Sequence, residues 1–258
     1  GIVMNGLTEE QRQRYARQLM LSQVGEAGQE QILAGRVLII GTGGLGSPAA
    51  MYLAAAGIGQ IGLVDDDVVD HSNLQRQLLH QTADIGRPKV DSARETLQAI
   101  NPAVKVRCYR ERVTADNMTD ILAGGDYQIV LDCTDNFPTK FLINDTCVQA
   151  GKAYIHAGIH EFQGQLMTYV PGQGPCYRCL FPEPPAIDAA VSKPAGVLGA
   201  LAGVIGTLQA TEALKYILGT GSLLTGQLLV YDALTMTFRH VPVPRNPHCA
   251  ICGNPAAR

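Results

Sequence analysis

The sequence lacks tryptophan altogether, and aromatic residues make up only 5% of its 258 positions. Low-complexity runs are also missing, which excludes a disordered or fibrous protein. A hydrophobic content of 46% is enough for a large core. We therefore expect a globular protein whose core consists mainly of alanine, valine, leucine and isoleucine.

A strong charge of either sign is missing as well. The net charge is −3, from 20 basic and 23 acidic residues, which indicates neither nucleic acid nor an anionic membrane as a partner. The longest apolar stretch, AGVLGALAGVI at 195–205, is followed by Gln209, Glu212 and Lys215 before it reaches the ~20 apolar residues of a membrane span. We predict a buried helix rich in small residues, packed against a sheet.

No secretory signal pattern is visible at the N-terminus, and the cysteine pattern does not suggest a disulfide framework, so we expect a cytoplasmic protein. Four of the seven cysteines form two Cys-x-x-Cys pairs. Two such pairs are typical of a tetrahedral zinc site that would attach the C-terminal part to the middle of the chain. The predicted zinc ligands are Cys176, Cys179, Cys249 and Cys252.

Apolar and amphipathic segments alternate through the first 150 residues. A polar helix at 8–33 is followed by strands at 36–41, 60–67, 104–113 and 127–136, with helices at 47–57 and 88–101. This order predicts an α/β fold with a doubly wound, mostly parallel Rossmann-like sheet. Ligands bind such sheets at the carboxyl ends of the strands.

Beyond residue 150 the chain has short alternating segments that we interpret as antiparallel strands extending the sheet, with a zinc-stapled C-terminal part. We expect a nucleotide-binding half at 8–150 and a second half of the same domain at 151–258. A proline-rich segment at about 181–194 is too long for a simple connection and predicts a functional crossover loop.

The motif GTGGLGSP at 41–48 matches Gly-x-Gly-x-x-Gly after a predicted strand and before a predicted helix. Such glycines let backbone N–H groups approach a phosphate at a helix N-terminus. Asp65 ends the next strand, where an acidic residue typically holds a ribose hydroxyl. Together these features predict nucleotide binding.

Hydride transfer with NAD is the first function that such a loop suggests, but no hydride-transfer site is evident in the second half. The segment from 73 to 89 contributes several polar and basic residues instead: Asn73, Arg76, Gln77, Arg87 and Lys89. Several cations near a carboxylate that can bind a metal fit a triphosphate with magnesium better than a dinucleotide.

Eight segments together resemble the ThiF/MoeB/HesA family, the bacterial relatives of ubiquitin-activating enzymes. They occur in order between residues 8 and 253: RYARQ, GTGGLGSP, DDDVVDHSNLQRQ, RPKV, LDCTDN, CYRC, AGVLGALAGVIGTLQATEALK and RNPHCAIC. The resemblance implies adenylation of the C-terminal Gly-Gly of a small ubiquitin-fold sulfur-carrier protein, using ATP and Mg²⁺, with release of pyrophosphate. It also implies a homodimer, with a cysteine desulfurase or sulfurtransferase as a possible further partner.

The resemblance assigns roles to individual residues. Arg17 in RYARQ corresponds to an arginine that reaches into the neighbouring subunit's active site, and Asp135 corresponds to the magnesium ligand. The remaining positions correspond to the phosphate loop, the ribose ligand and contacts to the triphosphate: Gly41, Gly43, Gly44, Gly46, Asp65, Asn73, Arg76 and Lys89. A carboxylate terminus is already ionised at pH 7, so catalysis requires positioning and charge neutralisation rather than a general base.

One position departs from the family pattern. Many members have a cysteine shortly before the apolar helix, whereas this chain has Ser192, which cannot form a persulfide. Three explanations are open: the enzyme stops at the acyl-adenylate, sulfur is transferred elsewhere, or the serine was engineered to stall a cysteine step. The stretch around Asp65 and LQRQ leans toward the thiamin branch; a molybdopterin-branch enzyme, a non-protein substrate, a dehydrogenase and a non-catalytic zinc module remain as alternatives.

Overall fold

A computed structural model describes residues 6–186 and 195–254. The described residues form one sheet of eight strands in the order β3-β2-β1-β4-β5-β6-β7-β8. The strands are β1 (Arg36–Ile40), β2 (Gln60–Val64), β3 (Lys105–Tyr109), β4 (Ile129–Asp132), β5 (Ala153–His160), β6 (Gln163–Tyr169), β7 (Gln227–Asp232) and β8 (Thr237–Pro242).

Helices cover both faces of the sheet, as expected for a doubly wound fold. In chain order they are α1 (Glu9–Arg14), α2 (Ala16–Leu19), α3 (Gly25–Leu33), α4 (Gly46–Ala56), α5 (Lys89–Ile100), α6 (Met118–Gly125), α7 (Phe137–Ala150), α8 (Tyr177–Leu180) and α9 (Gly199–Leu218). No helix in the described parts of the chain is both long and apolar enough to cross a membrane.

Strands β1 to β5 are parallel to their neighbours, and β5 to β8 pair antiparallel. The predicted fold class, a mostly parallel sheet extended by antiparallel strands, is therefore confirmed. One detail was wrong, because β5 was expected to be antiparallel but pairs parallel with β4. Helix α7 makes the crossover between them; Asn136 caps its start, where its side chain accepts a hydrogen bond from the N–H of Thr139, and Gly151 ends it with a φ of 65°.

The predicted single helix at 8–33 is three short helices. Its first break is at Tyr15, whose side chain is buried and accepts a hydrogen bond from Asn101 through its hydroxyl group at 2.8 Å. The second break ends at Gly25, which has a φ of 57°, a left-handed conformation that favours glycine. The break at Tyr15 thus brings an aromatic side chain into the core.

Several predicted strands are longer than the observed ones, mainly at the carboxyl end. Strand β2 stops at Val64, β3 at Tyr109 and β4 at Asp132, and polar loops follow each of them. The carboxyl ends of β1, β2 and β4 lie side by side, since these strands are adjacent and parallel. The residues that leave the sheet early are those that surround the candidate site.

Candidate active site

The glycine loop joins β1 to the N-terminus of α4 and packs tightly against the end of β4. A Cβ on Gly41, whose φ is 101°, would lie 2.4 Å from the carbonyl oxygen of Cys133. A Cβ on Gly46 would lie 2.0 Å from the carbonyl oxygen of Gly41. Only glycine fits at both positions, and the loop presents the N-terminus of an eleven-residue helix, a favourable place for a phosphate.

A cavity of about 660 Å³ opens above this loop at the carboxyl ends of the parallel strands. On one side it is bounded by the glycine loop and by residues that follow β2, β3 and β4. On the other side it is bounded by β5, β6 and β7, through residues that include Gly158, Ile159, Gly164, Gln165 and Val230. The cavity is large enough for a nucleotide and leaves an opposite end for a second substrate.

Most of the residues predicted from the sequence face this cavity. Those that line it are Gly41, Gly43, Gly44, Asp65, Arg76, Lys89 and Asp135. Gly46 lies behind the loop at the start of α4, and the side-chain oxygen of Asn73 accepts a hydrogen bond from the N–H of Asp70 at 2.8 Å. The proposed crossover-loop position, Ser192, lies outside the described residues.

Arg17 lies on α2, far from the cavity of its own chain. The neighbouring Gln18 donates a hydrogen bond to the carbonyl oxygen of Ala56, at the C-terminal end of α4. The glycine loop is at the other end of that helix, which at 1.5 Å per residue is about 16 Å away. The side chain of Arg17 is exposed.

Asp65 is fixed directly beside the glycine loop. Its Oδ2 accepts hydrogen bonds from the N–H of Thr42 at 2.9 Å and from the hydroxyl of Thr42 at 3.0 Å. Its Oδ1 accepts a third from the N–H of Asp67 at 2.9 Å. A carboxylate held in this way has one lone pair left, on Oδ1, for a ribose hydroxyl in the cavity.

Two basic side chains flank the loop. Lys89 is 6% exposed, and its Nζ lies 3.6 Å from Oδ2 of Asp67. The aliphatic part of Arg76 passes over Gly44, where a Cβ would lie 3.3 Å from its Cδ. The guanidinium of Arg76 donates hydrogen bonds to the carbonyl oxygen of Ser72 at 3.1 Å and to Oε1 of Gln75 at 3.0 Å, and both basic side chains line the cavity.

A buried charged cluster under the cavity was missed by the sequence analysis. Asp132 at the end of β4 is fully buried, and its Oδ1 accepts hydrogen bonds from Nζ of Lys140 at 3.2 Å and from the hydroxyl of Thr134 at 2.6 Å. Nζ of Lys140 also donates to the carbonyl oxygen of Ala157 at 2.5 Å. Burial by itself would raise the pKa of Asp132, but the ammonium of Lys140, the imidazole of His156 and the hydroxyl of Thr134 hold it at about 2.

His156 on β5 extends this cluster toward the second end of the cavity. Its Nδ1 lies 3.8 Å from Oδ2 of Asp132, and its Nε2 lies 3.2 Å from Nε2 of Gln165. Its ring stacks on Tyr177 with the centroids 4.2 Å apart. Burial lowers the pKa of His156, so the ring is neutral at neutral pH.

The four paired cysteines come together as predicted. Their Sγ atoms all lie within 4.8 Å of one another, with 3.8 Å between Cys176 and Cys249 and 3.3 Å between Cys179 and Cys252. These separations exceed the ~2.05 Å of a disulfide bond and approach the ~3.8 Å expected between sulfurs around tetrahedral zinc. The cluster can therefore hold a zinc ion.

The cysteine cluster is attached to the cavity through α7. The side-chain oxygen of Asn144 accepts hydrogen bonds from the N–H of Tyr177 at 3.0 Å and from the hydroxyl of Tyr154 at 2.7 Å. Arg178 donates two hydrogen bonds to the carboxylate of Asp145, at 2.7 and 2.8 Å. One helix thus connects the cysteine pairs to the segment that contains Asp135.

Fold and site define a nucleotide-binding α/β protein whose cavity joins a glycine phosphate loop to an open end of the sheet, with a cysteine cluster suited to zinc. The model of the ThiF family matches residues 15–251, and the chain belongs to that family. This confirms the family expected from the sequence motifs.

Relatives extend over almost the whole chain. The SAMP-activating enzyme E1 of Haloferax volcanii is 48% identical, covering 94% of this chain and 89% of its own. The sulfur carrier protein adenylyltransferase of Thermus thermophilus is 47% identical, covering 96% and 93%. The adenylyltransferase and sulfurtransferase MOCS3 of Bos taurus is also 47% identical over 96% of this chain, which spans only 54% of that protein. These relatives confirm the enzyme class, an adenylyltransferase.

Solved structures share the fold. E. coli MccB with ATP has a TM-score of 0.82 at 25% identity, covering 93% of this chain and 75% of that one. E. coli MccB with AMPCPP and SeMet MccA has a TM-score of 0.82 at 26% identity, covering 96% and 77%. Both structures share the fold of this chain over most of its length.

Proposed function

We propose that this protein adenylates the C-terminal Gly-Gly carboxylate of a small ubiquitin-fold sulfur-carrier protein with ATP and releases pyrophosphate. The observation that carries the proposal is the shared cavity: the glycine loop and the side chains of Asp65, Arg76, Lys89 and Asp135 all face one space. The names of the relatives at 47–48% identity support the same substrate class.

The residues that line this cavity suit an adenylation reaction. A carboxylate oxygen of the carrier attacks the α-phosphorus of ATP, and the bond from that phosphorus to the oxygen bridging to the β-phosphate breaks, so that pyrophosphate leaves. The obstacle is repulsion between two anions, which in-line positioning and nearby cations relieve. Arg76 and Lys89 supply positive charge at the loop, and Asp65 orients the ribose.

Asp135 follows β4 and faces the cavity, where its carboxylate is a suitable ligand for magnesium. Bound there, Mg²⁺ would neutralise charge on the phosphates and organise the leaving group. Zinc in the cysteine cluster would hold the C-terminal part against α7, away from the reacting atoms.

We further propose that Arg17 completes the cavity of a second copy in a homodimer. It lies beside the end of α4 that is away from the glycine loop of its own chain, and Met20 and Leu21 next to it are 76% and 55% exposed. Large exposed apolar side chains beside a displaced cation are typical of an interface.

ATP–pyrophosphate exchange tests the proposal. The enzyme is assayed with magnesium and a panel of ubiquitin-fold carriers from thiamin, molybdopterin and other sulfur pathways, each beside a copy that lacks its last two glycines. Exchange that depends on one carrier's Gly-Gly supports the proposal and names the pathway, for which the thiamin branch is our first expectation. Exchange with none of them, although ATP binds, would contradict the carrier as substrate.

The same assay followed by product analysis addresses Ser192. With a serine at this position we expect the acyl-adenylate to be the product that leaves the enzyme, and a separate cysteine desulfurase or sulfurtransferase to supply the sulfur. A covalent carrier–enzyme adduct resistant to thiol reductant would contradict this.

A further inference from the structure

The end of the cavity formed by β5, β6 and β7 has one polar side chain that is tied to a buried group. Gln165 lines the cavity and lies opposite Gly158 in the antiparallel pair of β5 and β6. A Cβ on Gly158 would lie 3.2 Å from Nε2 of Gln165, so the glycine leaves room for the amide. On its inner side, the same Nε2 meets Nε2 of His156 at 3.2 Å.

Asp132 determines which nitrogen of His156 carries the proton. The two residues are opposite each other in the β4–β5 register, and Oδ2 of Asp132 is 3.8 Å from Nδ1 of His156. Within the described chain, neither of these two buried atoms has a hydrogen-bond partner. The carboxylate attracts a proton to the facing Nδ1, so a neutral His156 has its lone pair on Nε2.

A lone pair on Nε2 of His156 requires a donor, and Gln165 can supply one only through its amide NH₂ group. The two ends of an amide are fixed relative to each other, so this contact determines where the amide oxygen is. The oxygen is then the group that Gln165 offers to a ligand. Because a carbonyl oxygen only accepts hydrogen bonds, it repels phosphate and carboxylate and favours an N–H group.

We propose that the amide oxygen of Gln165 accepts a hydrogen bond from a main-chain N–H of the acceptor's C-terminal peptide tail. The site therefore recognises a peptide, not merely a carboxylate, and Asp132 and His156 are positioning residues that keep the amide in this orientation. The bond lies at the end of the cavity away from the glycine loop, so it would align the tail before its terminal carboxylate meets the α-phosphate. The inference rests on the proposed function.

The test removes the hydrogen bond first by changing the carrier and then by changing the enzyme. A carrier that supports exchange is prepared by semisynthesis with its last amide replaced by an ester, which removes that N–H, and again with the preceding amide replaced. With the wild-type enzyme, one of the two esters should lower kcat/KM about fivefold to tenfold. Gln165→Met should lower kcat/KM for the all-amide carrier by a similar factor and leave the KM for ATP unchanged. For this variant, kcat/KM should be the same with the all-amide carrier and with the ester to which the wild-type enzyme is sensitive.

Gln163→Met is the matched control, because Gln163 points from the same face of β6 and also lines the cavity. It should keep the wild-type sensitivity to the ester. Gln165→Leu replaces the methionine variant if that one unfolds. His156→Phe retains a ring against Tyr177 but has no lone pair for Gln165; it should reduce the ester effect without changing the KM for ATP.

The results separate this inference from the proposed function. If both esters react like the amide with wild type, or if Gln165→Met remains as sensitive to the ester as wild type, the inference is overturned. If the all-amide carrier itself gives no exchange, the proposed function has failed instead.

Discussion

Among the described residues Asp135 has no ion pair; its Oδ1 accepts a hydrogen bond from the side-chain amide of Asn136 at 3.4 Å. By contrast, Asp65 is held by Thr42, and Asp67 lies beside Lys89. It follows β4 and precedes the cap of α7, between the two ends of the cavity. An acidic side chain in that place is suited to a cation that arrives with the substrate rather than to a fixed ion pair.

Asp135→Asn should therefore lower the rate of magnesium-dependent pyrophosphate exchange by about a hundredfold or more, while the protein stays folded. The substitution keeps the shape of the side chain and removes its charge. Exchange is measured over a range of magnesium concentrations, and circular dichroism monitors the fold. Asp116→Asn, at an exposed position outside the cavity, is the matched control for charge and should behave like wild type. Wild-type exchange by Asp135→Asn would remove the residue from the site.

The sequence analysis predicted those site residues that belong to a short motif. The glycine loop, Asp65 and the cysteine pairs each belong to a short pattern with a known spacing. Asp132, Lys140, His156 and Gln165 come from four different elements, and although Asp132 lies within LDCTDN, no short pattern joins the four residues. Their roles depend on the register of three neighbouring strands, which residue types alone do not determine.

At the level of elements, α7 connects the two functional parts of the molecule. It starts two residues after Asp135, contains Lys140 as its fourth residue, and holds Tyr177 and Arg178, between the cysteines of the first pair, through Asn144 and Asp145. The sequence analysis did not identify it, and for that reason β5 was expected to be antiparallel. Its caps, Asn136 and Gly151, were visible in the sequence, but its apolar residues have no clear helical period because both sides of the helix are partly buried.

Lys140→Met should lower the free energy of unfolding by about 3–5 kcal/mol, because it leaves the buried carboxylate of Asp132 without its cation. Lys140→Met combined with Asp132→Asn should recover a large part of that loss, since the uncompensated charge is then removed. Urea unfolding monitored by circular dichroism measures both.

Lys105→Met, on the exposed edge strand β3, controls for the loss of a lysine and should change stability by no more than about 0.5 kcal/mol. If the single and double variants of the buried pair are equally unstable, Lys140 acts through packing and not through the charge of Asp132.

The stabilisation that this buried pair contributes also depends on pH. The folded-state pKa of Asp132, about 2, lies below the ordinary value of 3.8, so its contribution is present above pH 4 and is lost as pH falls toward 2.

The whole molecule places Arg17 and the cavity at opposite ends of α4. Helix α4 is about 16 Å long, and Arg17 lies beside the end that is away from the glycine loop, so its predicted role requires a second copy of the chain. Closed two-fold symmetry would give each copy one arginine and one cavity, and each cavity would then contain residues of both subunits. This geometry makes the arginine testable separately from the rest of the site.

Mixing two inactive variants tests whether Arg17 acts in the cavity of the neighbouring subunit. Arg17→Ala subunits have intact cavities but no donated arginine, whereas Asp135→Asn subunits have damaged cavities and an intact arginine. In a mixed dimer, the Arg17→Ala subunit's cavity receives Arg17 from its partner and is complete. With random exchange of subunits in an equal mixture, half of the dimers are mixed and each has one complete site, so about a quarter of wild-type exchange should return.

The matched negative control mixes Asp135→Asn with Arg76→Ala. Both variants damage the cavity of their own chain, so no mixed dimer contains a complete site and exchange should remain at background. Subunit exchange is verified with two differently tagged copies before either mixture is assayed. If verified mixed dimers of Arg17→Ala and Asp135→Asn remain inactive, or if the Arg17→Ala variant alone has wild-type exchange, Arg17 does not act in the neighbouring cavity, and the exposed apolar residues beside it require another explanation.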